Sequence, residues 1–166
     1  MSMAAPHAGN EADILERHAA AAASGKMTLT VVTPGGQAAS TVVDEVTAPG
    51  VVGEFGVLPG HVPLLAALKA GVLSWRDAQG RHILAVDKGY LQVGAHSRVI
   101  VLVEKSQKPE QVDVADARDA AAKATELLKH GSEDVNELAL ARLSLEWAQA
   151  RLDAADRHNA GPATAH

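Results

Sequence analysis

The densest chemistry in the chain lies between Gly53 and Leu65. There Gly53-Glu54-Phe55-Gly56-Val57-Leu58-Pro59-Gly60-His61-Val62-Pro63-Leu64-Leu65 sets one carboxylate and one imidazole among three glycines and two prolines. Gly56 and Gly60 admit backbone angles closed to other residues, and Pro59 and Pro63 fix φ. With Gly53 they shape a loop able to hold Glu54 and His61 near the rim of a sheet. On the residues alone two readings stay open: a turn that serves chain topology, and a contact surface.

Elsewhere the residue types argue against catalysis. No Gly-x-x-x-x-Gly-Lys-Ser/Thr run occurs, and Gly50, Gly53 and Gly56 lack the spacing and the strand-to-helix context of a dinucleotide loop. The histidines (His7, His18, His61, His82, His96, His130, His158, His166) place no two at ligand spacing on one expected element, so no metal site is expected. Ser74 and Ser97 carry no local signature of a nucleophile. The chain is therefore read as non-enzymatic, with no catalytic residues and no cofactor.

The net charge of −5 gives no broad attraction to nucleic acid or anionic lipid. Apolar runs are broken by Pro, Gly or Lys69, well short of the roughly 20 residues that span a bilayer, so any membrane link runs through a partner. The absence of Cys excludes a disulfide scaffold and fits the cytosol.

The elements that must position the 53–65 stretch fall into three regions. Residues 1–26 hold Ile14-Leu15-Glu16-Arg17 and the run Ala19 to Ala23, enough for a short helix but with little apolar face, and are read as a mobile extension. Met27 is a plausible alternative translation start. From 27 to 108, short Val/Leu/Ile runs alternate with Gly, Pro and Asp turns, the signature of an all-β domain. Strands are expected over Thr28–Thr33, Thr41–Thr47, Gly71–Arg76, Arg81–Val86, Tyr90–Val93 and Arg98–Glu104. The last of these is apolar at every position from Val99 to Val103, so it should be interior to its sheet.

After Lys108-Pro109 the pattern switches to a helical period. Val114, Ala117, Ala121, Ala124 and Leu128 form one seam; Leu138, Ala141, Leu145, Ala148, Leu152 and Ala155 form a second. Gly131 ends the first helix, Ser132 or Asp134 caps the next, and the short connection forces the seams to face each other as an antiparallel hairpin over 109–158. Leu140, Leu143 and Trp147 make a further apolar strip that wants another surface. Residues 159–166 are read as a flexible tail. The expected fold is an antiparallel β-sandwich or flattened barrel followed by a two-helix hairpin.

The 53–65 motif resembles the epsilon subunit of the F-type ATP synthase, with Val31-Val32-Thr33-Pro34 before it, Leu68-Lys69-Ala70-Gly71 after it and Gly89-Tyr90-Leu91-Gln92-Val93 later. The likeness runs from about Met27 to Arg157. It implies a non-catalytic central-stalk subunit that sits beside the gamma subunit and on the ring of c subunits, helping transmit rotation driven by ion flow, hydrogen ions among them. It also implies a peripheral place at the cytoplasmic face of a bacterial inner membrane, without direct insertion. Glu54 and His61 would face the polar loops of the c ring, where a rim ion pair contributes about 0–1 kcal/mol and orients more than it anchors.

The resemblance further implies an arm that can extend along gamma to the alpha/beta catalytic head and restrain ATP hydrolysis. Between Val112 and His158 acids outnumber bases, a poor match for the acidic segment such arms contact, so strong inhibition is not expected. Some members of the family bind ATP through Ile/Leu-Asp-x-x-Arg-Ala at the start of the first helix. Here Asp113 keeps the acid, Asp116 stands in the Arg position and Arg118 follows two residues later, which predicts weak or no ATP binding. The competing reading is a β-sandwich protein-binding module whose hairpin self-associates.

Overall fold

A computed structural model describes residues 11–161; the expectations for residues 1–10 and for most of the 159–166 tail lie outside them. A helix, α1 (Glu11–Ala23), precedes β1 (Met27–Thr33), β2 (Gly36–Val43), β3 (Glu45–Gly50), β4 (Gly53–Val57), β5 (Leu64–Leu68), β6 (Gly71–Asp77), β7 (Gly80–Val86), β8 (Gly89–Gly94), β9 (Arg98–Val103) and β10 (Ser106–Gln107). Two helices close the chain, α2 (Val114–His130) and α3 (Val135–Asn159).

The strands run β10-β7-β6-β3-β5-β8-β9-β1-β2, with β4 on β3. One ladder pair, Gly50 with Leu68, joins the β3 half to the β5 half, so the sheet folds over on itself as a sandwich. Side chains alternate across each strand. The inward set includes Leu29, Val31, Val43, Val46, Leu73, Leu91, Val99 and Val101, all fully buried, and this Val/Leu core ties both halves together. The sheet is antiparallel apart from β1 and β9, which run parallel from Thr28 opposite Arg98 to Val32 opposite Leu102.

Residues 11–23, read as part of a mobile extension, form α1. In the β domain two stretches differ from the sequence reading. The expected strand Thr41–Thr47 is two strands, broken at Asp44, whose N–H donates to the Arg76 carbonyl at 2.8 Å. There the chain leaves β1 as its partner and takes β6 instead. Residues 53–65 are not one loop: β4 and the first residues of β5 occupy the ends, leaving 58–63 as the connection. β9 is interior as expected, between β8 and β1.

The helices form where caps and periodicity specify them. Asp113 caps α2 by accepting from the Asp116 N–H at 3.0 Å, and Asp134 caps α3 by accepting from Asn136 at 2.9 Å. Gly131 takes φ +76° after α2 and lets the chain reverse. The helices pack antiparallel, and α3 lies on the outer face of β6 and β7 through Trp147 and Ala154 against Val72, Ile83 and Ala85. Trp147 thus finds its surface on this chain's own sheet, under Lys105 Nζ at 5.8 Å from the ring centre. Leu140 and Leu143 of the same strip stay exposed.

Candidate functional site

The sandwich has two outer faces, and they differ. On β6 and β7 side chains are buried on both sides, because α3 covers the outer one. Among the described residues the outer side of β5, β8, β9, β1 and β2 is covered only at one end, by α1 against β1 and the β8–β9 turn. The register lines Leu65 up with Gln92, Tyr90 with Leu102 and Val32 with Leu102, and Leu65, Tyr90, Leu102 and Val42 are 70, 56, 51 and 42 % exposed. Ala67, Tyr90, Leu102 and Val32 thus follow one another across β5, β8, β9 and β1, with Leu65 and Ile100 one pleat along, whereas β2 puts Gln37 in that row and its Val42 lies beside Thr28 and Arg98 at the other end of the strands. A contiguous apolar patch on four neighbouring strands is unlike scattered surface hydrophobics and is a candidate interaction surface. Its one legible signal in the sequence was β9, whose outward Ile100 and Leu102 are as apolar as its inward valines.

Glu54 and His61 are not brought together. Glu54 pairs with Pro49 on β3, at the end of the sandwich where Gly50 meets Leu68. Its carboxylate lies 3.6 Å from the Arg157 guanidinium of α3, and the adjoining β3–β4 tip presents Val51 and Val52 to solvent. His61 lies past the far end of β4, about 10 Å of strand plus the loop away. Its Nδ1–H donates to the Val62 carbonyl at 2.7 Å, and the Gly60 N–H beside it donates to Ser97 Oγ at 3.1 Å. Gly53 and Gly60 hold φ of +137° and +82°, values that disfavour any side chain, whereas Gly56 sits inside β4 opposite Thr47. Pro59 and Pro63 bracket His61 in the connection.

The loop end holds a feature the sequence did not announce. In the β8–β9 turn, Ala95–Ser97, both His96 and Ser97 adopt positive φ, 58° and 54°. Neither is Gly, so nothing in their identity flagged the conformation. α1 packs against this turn. His18 Nδ1 hydrogen-bonds Thr28 Oγ1 of β1, and Lys26 Nζ reaches Asp44 Oδ1 at 2.7 Å. Partial burial, with Arg98 and His96 nearby, lowers the pKa of His18 below its usual value.

Along the helical hairpin, Ala117, Ala124, Ala141, Ala148 and Ala155 are buried, and Val114, Ala121, Leu128, Leu138, Leu145 and Leu152 are half-buried beside them. Asp113 serves as the α2 cap. Arg118 is exposed and sits two residues from Asp116, roughly 200° around the helix and so on the opposite side. Asp116 instead accepts from Arg151 Nη2 of α3 at 3.1 Å, while Arg151 Nε donates to Gln107 Oε1 of β10 at 2.9 Å. One guanidinium thus ties both helices to the sheet. Among the described residues no group of His, Asp and Glu is placed to hold a metal, and no helix is long and apolar enough to cross a membrane.

The fold is a β-sandwich carrying a two-helix hairpin, with one outer face covered by its own arm and the other, among the described residues, covered by α1 at one end. Residues 26–109 match the family model described as ATP synthase, Delta/Epsilon chain, beta-sandwich domain. The chain is 40 % identical over 136 residues to ATP synthase epsilon chain 2 of Syntrophotalea carbinolica, covering 82 % of this chain and 98 % of that one. It is 37 % identical over 130 residues to the ATP synthase epsilon chain of Geotalea uraniireducens, covering 78 % and 94 %. The chain belongs to the ATP synthase epsilon chain family.

Solved structures share the fold. A chain of the Euglena gracilis mitochondrial ATP synthase, in an assembly of OSCP, F1 and c-ring, superposes with a TM-score of 0.67 at 21 % identity, over 75 % of this chain and 78 % of that one. A chain of the Tetrahymena thermophila mitochondrial ATP synthase central stalk and c-ring gives 0.56 at 15 % identity, over 78 % and 96 %. The family model starts at residue 26, so α1 lies ahead of it.

Proposed function

We propose that this chain is a non-catalytic coupling subunit of an ATP synthase central stalk, seated between the gamma subunit and the c ring and peripheral to the cytoplasmic face of a bacterial inner membrane. The observation that carries this reading is the exposed apolar patch of Leu65, Tyr90 and Leu102, with Val32 beside them, on the side of the sandwich that the arm leaves open. Gamma docks there. Coexpression with gamma should give a stoichiometric complex that Leu102→Asp with Tyr90→Asp dissolves; a homodimer indifferent to gamma would favour the self-associating module instead.

Ring contact falls to the Glu54 end, where the Val51–Val52 tip projects and the carboxylate has a free side. His61 belongs to the opposite end and takes no part in the same patch. The arm rests against β6 and β7 and, when extended, reaches the alpha/beta head. Its excess of acids gives weak restraint of hydrolysis, so truncation after Pro109 should leave the ATPase rate of the assembled complex nearly unchanged, and a marked rise would show a braking arm. With Asp116 engaged by Arg151 and Arg118 on the far side of α2, calorimetric titration with ATP should show no micromolar site.

A further inference from the structure

The groove between α1 and the outer sheet face has a charge pattern that the strip alone does not explain. It encloses about 920 Å³ between α1 and strands β1, β2 and β9, with Ile14, Val32, Val42 and Ile100 along its walls. Arg17, His18 and Arg98 also line it, and among the described residues no carboxylate does. α1 is poorly covered for a helix of 13 residues. Ala21 is its one buried residue, while Ile14 and Leu15 remain 46 and 56 % exposed. Isolated helices of this length are marginal in water, so α1 has an apolar side that a further surface would complete.

We propose that α1 and the adjoining sheet face form a clamp for an amphipathic segment of the docking subunit, its apolar side chains in the groove and a carboxylate between Arg17 and Arg98. The inference rests on the gamma-docking reading given above and adds a second handhold to it. Val32 and Ile100 belong to both the groove and the apolar patch, so one partner can cover both. Arg17 and Arg98, with no acid among the described residues that line the groove, select an acidic segment and speed its encounter. Because α1 precedes the residues shared with the family model, the clamp is an addition to the common docking face rather than part of it.

The test measures binding of purified gamma to the full chain by surface plasmon resonance, at about 50 and about 500 mM salt. Wild type should lose affinity with salt, and Arg17→Glu with Arg98→Glu should weaken binding by about tenfold or more at low salt and flatten the salt dependence. Ile14→Asp should weaken it similarly, Arg17→Lys with Arg98→Lys should keep it, and Arg157→Glu on the far face should leave it unchanged. Circular dichroism melts check that each variant folds. Charge-reversed protein that binds gamma within about twofold of wild type would overturn the clamp while leaving docking on the strip intact. A wild-type chain that ignores gamma would remove both, and a concentration-dependent dimer lost on charge reversal would assign the groove to a second copy and overturn the proposal.

Discussion

The β body and the helical arm bury different things. The body hides Val and Leu side chains contributed by strands far apart in sequence, each worth about 1.5–3 kcal/mol on full burial. Every buried residue of α2 and α3 is Ala, whose methyl contributes closer to about 0.8 kcal/mol. Small residues let the helices approach closely but give little hold, so the arm leans on Trp147 and on polar ties through Arg151 and Arg157. A molecule built this way is expected to have a body that unfolds as a unit and an arm that opens at lower cost, which the following measurements check.

The largest effect should come from Gly89→Ala. A Cβ there would lie 1.9 Å from the Leu102 carbonyl oxygen, so β8 and β9 must separate, and a loss of more than about 4 kcal/mol is expected in urea unfolding. Leu91→Ala, in the centre of the body, should cost about 2–5 kcal/mol by the same measurement. Ala148→Gly at the buried seam of the arm should cost about 1 kcal/mol, and if it shifted the body's transition as far as Leu91→Ala, the two parts would unfold together and the contrast would fail.

Arg151→Ala removes the tie among α2, α3 and β10. About 1 kcal/mol is expected, since Asp116 is largely exposed, and hydrogen exchange should quicken in α2 and α3 while the β core keeps its protection. Arg157→Ala breaks an exposed link to Glu54 and should change stability by less than about 1 kcal/mol, less still at high salt.

The smallest expected effect separates α1 from both regions. His18 binds its proton less readily when docked than when free, so docking is strongest above its ordinary pKa and weakens as pH falls through that value toward the lowered one. The groups around it are Thr28, Arg98 and His96, none of which offers a compensating negative charge. The protection of α1 amides, taken relative to their intrinsic base-catalysed exchange at each pH, should fall between about pH 8 and about pH 5 while that of β1 holds, and His18→Gln should flatten the response.

Local patterns made most of this fold readable. Turn residues at Asp77 to Gly80 and the alternation Val99, Val101, Val103 identify β6–β7 and β9, and Asp113, Asp134 and Gly131 bound the helices. What escaped depended on partners distant in sequence. The break at Asp44 arises because β2 and β3 pair with different strands, and the parallel β1–β9 pair joins residues seventy positions apart. β4 escaped because its Gly and Pro content reads as a loop, yet Val46 through Gly50 supply a ladder for it.

By itself the sequence determined element type, the Ala-rich seams, the charge balance and the family, since each rests on residue identity and short spacing. Only the tertiary structure decided that Glu54 and His61 part company, that Asp116 meets Arg151, and which face of the sandwich α3 covers. Those outcomes depend on strand register and on where α3 comes to rest, and packing across the whole chain, unlike propensity, has no local code.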